Sequence, residues 1–345
     1  MPKISEKLIA SLPKTDLHCH FDGSLRIKTL IELAKKNGVK LPTYEPHALM
    51  EFYQYGRVRK TLEEYLQGFE PLVAVLQNKD NIERVFFELC EDAARENVWH
   101  LEVRYCPYLL LEQGLSQEEV VEACARAGAR AEKEFGMSVV QILCGLKHND
   151  GASILSVAKL AARYRHLGVV AFDMAGPEDG FPIRDHLEAI NFAKKNNLFI
   201  TLHAGESYGP ASIAQAIHEG GANRVGHGTS LLHDEELLQY AVDHRIGIES
   251  CPLSNLHTGS VKSLKEHPLK KFLAAGLRVS INTDNRLCSD TTITKEIMTM
   301  VQEVDLNLDD IQRLLQNGFK SAFLPYEKRG SLLKSFNEAW LRLIG

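Results

Sequence analysis

Residues 224–255, RVGHGTSLLHDEELLQYAVDHRIGIESCPLSN, decide the fold. They begin with a β-prone run at Arg224, pass through helical spacing from Asp234 to Asp243, and return to a β-prone run at Ile246. The same alternation holds on both sides of this stretch. Before it come KTDLHCHF from Lys14, VWHLEVRYCP from Val98, VVQILCGL from Val139, VVAFDMAG from Val169 and LFITLHAGE from Leu198; after it comes RVSINTDN from Arg278. Several of these runs carry apolar residues at successive positions, as strands covered on both faces of a parallel sheet do. Helical spacing fills the gaps at Ser153 to Arg165 and Arg184 to Lys195, and Ser116 with Glu119 forms a capping box ahead of a third. Eight strands alternating with helices predict an α/β fold, a closed (β/α)8 TIM-type barrel.

The gap between the first and second runs is much longer than the others. It holds a second capping box, Thr61 to Glu64, within a Phe-, Tyr- and Leu-rich segment from Phe52 to Phe87. Inserted helices over one end of the barrel are expected there, serving either as a lid or as a plain cover for an apolar edge. Helices near Thr294, Asp309 and Glu327 should complete the outer ring. No linker or low-complexity tract interrupts the chain, so residues 1–345 are expected to form one domain.

Composition narrows the function. The 345 residues hold 40 Lys and Arg against 45 Asp and Glu, a formal charge of -5. With no basic excess to neutralise phosphates, a nucleic-acid partner is not expected. The 44% hydrophobic and 25% charged content is that of an ordinary globular protein. No uncharged apolar run approaches the roughly 18 to 20 residues of a membrane helix. Seven scattered cysteines lack any Cys-x-x-Cys pair and read as thiols in a reducing cytoplasm. Oligomeric state is not legible.

In such a barrel the C-terminal strand ends carry function. His18 and His20 end the first run, and alternation points both imidazoles the same way with Cys19 turned aside. His203 ends the fifth, with Glu206 three residues on; His227 sits between two glycines at the end of the sixth; Asp284 ends the eighth. Each alone reads equally well as a core histidine or a capping acid. Together they bring imidazoles and carboxylates from four strands to one rim, and three His with one carboxylate make a set suited to one Zn²⁺ per chain with an open position for water. A metal there lowers the pKa of water to roughly 7, so no Ser or Cys nucleophile is needed. Glu206 stands close enough to exchange protons with a substrate, and His227 to hold the water.

These phrases, TDLHCHFDGSL, FDMAGPE, LHAGE, RVGHGTSL, CPLSNLHTG and SINTDN in that order, resemble the adenosine deaminase family of metal-bearing barrels. The resemblance implies conversion of adenosine or deoxyadenosine, with water, to inosine or deoxyinosine and ammonia. It implies His18, His20, His203 and Asp284 as zinc ligands, with Asp284 also touching the water. It implies Glu206 as the proton donor to purine N1 and His227 as the residue that orients and deprotonates the water. Asp22 matches the contact to the ribose 5′-hydroxyl, and Gly176 the backbone N–H contact to purine N3. Many members have Asp where this chain has Asn285, which meets purine N7. An amide donates there at any pH, whereas a carboxyl must stay protonated.

Three other readings compete. The same chemistry on adenine, a 5′-modified adenosine or an N6-methylated nucleotide is the nearest; a carboxylate at Asp22 disfavours phosphate there. A hydrolase with a Lys-bridged metal pair would need Lys147, which reads better as part of a polar loop after the third strand. A non-catalytic nucleoside-binding protein would have lost Glu206 or a ligand.

Overall fold

The computed structural model describes residues 3–53 and 67–345. Eight parallel strands follow in sequence order: β1 (Lys14–His20), β2 (Val98–Tyr105), β3 (Ser138–Leu146), β4 (Val169–Ala175), β5 (Phe199–Ala204), β6 (Arg224–His227), β7 (Gly247–Ser250) and β8 (Arg278–Ile281). Each begins within one residue of a predicted run, and the order β1 to β8 is that of a (β/α)8 barrel. Closure departs from the expected pattern. β8 stops at Ile281, and the seam with β1 is made by the isolated bridge Cys19–Asp284, with His20 N–H donating to Asp284 O at 2.7 Å and Asp284 N–H to His18 O at 2.7 Å. Side chains complete the stitching. Asn282 Oδ1 accepts from Leu17 N–H at 2.9 Å, and Asp16 accepts from both the hydroxyl and the backbone N–H of Thr283.

Helices follow the predicted caps. Gln117–Phe135 starts at the Ser116–Glu119 box and ends at Gly136, which takes the left-handed backbone a C-terminal stop favours. The third crossover runs Gly151–Arg163, its N-cap Asp150 accepting from Ser153 N–H. The expected Arg184–Lys195 helix splits into a 3₁₀ turn, Ile183–His186, and an α-helix, Leu187–Lys195. At the split the buried His186 ring donates from Nε2 to Lys147 O at 2.9 Å, tying this turn to the end of β3. Ile293–Val304, Leu308–Ser321 and Tyr326–Ile344 cover the last strands.

The large apolar cluster lies between strands and helices. At the N-terminal end of the barrel, Phe323 packs on Ile142 and Ala171 and stacks on Phe199. Above that floor the interior is charged: Glu102, Arg104, Asp173, Arg224 and Glu249 are all buried and mutually paired. Ion pairs this deep need complete hydrogen bonding to be tolerated. The insertion between β1 and β2 contains helices Ile27–Asn37, Pro46–Tyr53 and Lys79–Arg95 and a short helix, Glu70–Ala74. The capping box at Thr61 lies outside the described residues.

Candidate active site

Strand pleat and seam geometry assemble the donor set. His18 and His20 project from β1 to the same side, His203 from β5, and Asp284 from the seam. His20 Nε2 and His203 Nε2 lie 3.1 Å apart, and the Nε2 atoms of His18 and His20 each lie 3.4 Å from Asp284 Oδ1. The other ring nitrogens of His18 and His203 are occupied. His18 Nδ1 meets Glu249 Oε2 at 2.8 Å and His203 Nδ1 meets Asp173 Oδ1 at 3.1 Å. A carboxylate on Nδ1 keeps the proton there and leaves the Nε2 lone pair free, the arrangement metal-binding histidines use. Buried His18 Nε2 has no hydrogen-bond partner among the described residues. An orphaned lone pair facing two imidazoles and a carboxylate fits a divalent metal cofactor.

Behind the histidines sits Arg104, donating to Asp173 Oδ2 and Glu249 Oε2 at 2.7 Å each. Burial opposes ionisation of both acids. The hydrogen bond from His203 and the charge of Arg104 overcome it at Asp173, and the charges of Arg104 and Arg224 at Glu249, so both stay well below the usual carboxylate range. Burial also pushes His20 and His203 down, toward the neutral form that can ligate.

Across the cavity stand Glu206 and His227. Glu206 is buried; burial, then the Asp284 and Glu178 carboxylates, push its carboxyl up to about 8. Its Oε2 lies 3.6 Å from His227 Nε2, and His227 Nδ1 meets Asn255 Nδ2 at 3.0 Å. Ser254 donates to Asp284 Oδ2 at 2.5 Å. Gly176 takes φ +85, a conformation that favours glycine, with its backbone at the cavity wall. Asn285 packs so closely over Gly23 that a Cβ there would lie 1.9 Å from its Oδ1. The cavity holds about 410 Å³ and is also lined by Asp22, whose carboxyl burial pushes up to about 6, and by Phe69, Glu70 and Val73 from the insertion.

The sequence model of the family described as adenosine deaminase matches residues 13–339. This chain belongs to the adenosine deaminase family. Among its deaminase relatives, a protein of Clostridium acetobutylicum described as adenosine deaminase is 36% identical over 97% of this chain and 99% of its own. A Dictyostelium discoideum protein described as probable adenosine deaminase is 39% identical over 98% of this chain, which spans only 44% of that longer protein. The crystal structure of an adenine deaminase from Arthrobacter aurescens superposes with a TM-score of 0.89 at 26% identity, over 96% of this chain and 99% of that one.

In this deaminase-family chain every residue singled out from the sequence lies at the one cavity or in the donor set beside it. Lys147 lies in the turn directly after β3, as read from the sequence, but it is buried there, and its Nζ donates to His203 O at 2.7 Å, tying the β3 end to a donor strand. Sequence reasoning missed Asp173, Glu249 and Arg104. Their signal was a charge inside a run otherwise buried on both faces, which demands a partner. Glu178 was missed too. Its carboxylate accepts three backbone N–H groups, from Gly205 and Glu206 at 2.9 Å each and from Ser207 at 3.2 Å.

Proposed function

We propose that this chain deaminates adenosine and deoxyadenosine to inosine and deoxyinosine, releasing ammonia, with one Zn²⁺ held by His18, His20, His203 and Asp284. Hydrolytic deamination of an adenine-type purine is the chemistry of the family to which the chain belongs. The observation that carries the reading is a buried carboxyl, Glu206, sharing one cavity with that donor set, where burial favours its protonated form. When bound, Zn²⁺ supplies Lewis acidity that brings the pKa of a water to roughly 7.

The chain's own groups do the rest. Glu206 gives its proton to purine N1, which draws electrons from C6 and opens it to attack. His227 orients the attacking water, while the Gly176 N–H meets N3 and the Asn285 amide meets N7. Asp22 accepts from the ribose 5′-hydroxyl. The described cavity lining holds Asp22, Glu70 and Glu112 but no Lys or Arg, which favours an uncharged nucleoside over a phosphorylated one. Adenine is the second reading, favoured by the likeness to the Arthrobacter enzyme. Free small molecules are the expected partners, in the cytoplasm; among the described residues no helix is long and apolar enough to cross a membrane.

An ultraviolet assay across adenosine, deoxyadenosine, adenine, AMP and methylthioadenosine, with and without chelator, tests this. Adenosine should give the highest kcat/KM, and chelation should abolish it. Glu206→Gln should lower turnover by about 10²–10⁴-fold at unchanged metal content. Adenine turned over faster than adenosine would move the assignment to the free base.

A further inference from the structure

A chain of three hydrogen bonds outside the donor set leads from a backbone amide to His227. Leu269 N–H donates to His267 Nδ1 at 3.2 Å; His267 Nε2 faces Asn255 Oδ1 at 3.2 Å; Asn255 Nδ2 faces His227 Nδ1 at 3.0 Å. The first donor is unambiguous, because a backbone N–H can only donate. It therefore fixes every later direction. His267 Nδ1 is an acceptor, so in the neutral ring the proton sits on Nε2. Burial pushes His267 down to about 3, so the ring is neutral at any working pH. His267 Nε2–H needs an acceptor, which orients Asn255 with Oδ1 toward His267 and the NH₂ toward His227. Turning the amide round would set two donors, the NH₂ and His267 Nε2–H, face to face. The NH₂ can only donate, so His227 Nδ1 accepts.

We propose that His267 and Asn255 are positioning residues which hold His227 in the Nε2–H tautomer, so that it acts toward the attacking water as a hydrogen-bond donor. This rests on the deaminase reading above and alters one part of it. A neutral ring with Nε2 already protonated and Nδ1 occupied has no vacant nitrogen for the water's proton, so that proton would pass to the Asp284 carboxylate beside the water, while His227 orients the oxygen and steadies negative charge on it. The geometry agrees. His227 Nε2 points toward Glu206 Oε2, and both line the cavity. Asn255 and His267 are themselves fully or almost fully buried, at 0% and 3% exposure, so solvent cannot substitute for either partner. Neighbouring Ser254 holds Asp284, so the short helix Pro252–His257 orders two site side chains from adjacent residues.

Nitrogen-15 spectra of histidine-labelled, metal-loaded enzyme test this, with the His227 signals assigned by their loss in a His227→Gln variant. The expected pattern is a protonated Nε2 and a bare Nδ1 at neutral pH; a protonated Nδ1 overturns the proposal. Asn255→Asp replaces the donor by an acceptor. It should move a proton onto Nδ1 and lower kcat roughly 10²-fold or more, as wrong-tautomer variants of catalytic histidines do, at unchanged metal content. A kcat within twofold of the parent, with Nδ1 still bare, overturns it. Should that variant fail to fold, His267→Phe removes the anchor; it should shift the His227 signals and lower kcat, and no change in either overturns the proposal. The tautomer is read without substrate. A Glu206→Gln enzyme with normal turnover would thus sink the deaminase mechanism and leave the spectral result to stand or fall separately.

Discussion

His227 at φ +64 and Asp284 at φ +59 both occupy the left-handed backbone region, where side chains other than Gly, Asn and Asp are seldom found. Strain of this kind persists where the surroundings over-determine it, and here hydrogen bonds to Asn255 and Ser254 hold the two side chains. Asn285 follows directly. Asn285→Asp should bind substrate near neutrality, because the adjacent Asp284 carboxylate and burial favour the protonated acid, and should lose affinity as pH rises and that acid ionises. Parallel pH profiles of KM for parent and variant would refute the N7 contact. The candidate residues were legible in sequence because each stands just after an apolar run. Asn255 and His267 were not: their roles depend on a helix and a loop folding back over β6, a distance in space that spacing along the chain does not encode.

Among the elements, the turn after β5 shows how a loop is made rigid. Gly205, Glu206 and Ser207 turn three N–H groups toward one point, forming a small anion-binding concavity, and the Glu178 carboxylate fills it. Ser260 donates to Glu206 O at 2.6 Å, so both backbone polar groups of the acid are fixed. Glu178→Gln has only one oxygen and cannot serve all three donors. It should reduce turnover roughly 10²-fold through misplacement of Glu206, with metal content unchanged, as steady-state kinetics and metal analysis would show. The strands themselves were readable because runs such as VVQILCGL have no polar face. The seam was not, since β8 ends three residues before Asp284 and the join is made by one backbone bridge together with side chains of Asp16 and Asn282. Periodicity describes strands, and this closure lies outside one.

For the molecule as a whole, buried ionisable groups tie stability to pH. Glu296 is fully buried on the helix Ile293–Val304, accepting from Thr291 Oγ1 at 2.8 Å and Leu253 N–H at 3.1 Å. Burial pushes its carboxyl up to about 8, whereas the unfolded chain titrates at 4.5. Between those values the folded protein holds the extra proton, so stability falls as pH rises through the window and levels off above it. Glu296→Gln, whose oxygen can face Leu253 N–H while its NH₂ donates to Thr291, should flatten that decline. The expected gain is on the order of a few kcal/mol at pH 9 and little below pH 5, read from denaturant melts at both. Equal gains at the two pH values would place its ionisation elsewhere.

The seam also sets an order of events. Asp284 is both the clasp of the ring and the carboxylate of the donor set, and a ribosome delivers it only after all eight strands. A nascent chain stalled before that point has neither a finished hoop nor a complete donor set, so the centre can take shape only once the last strand has been made.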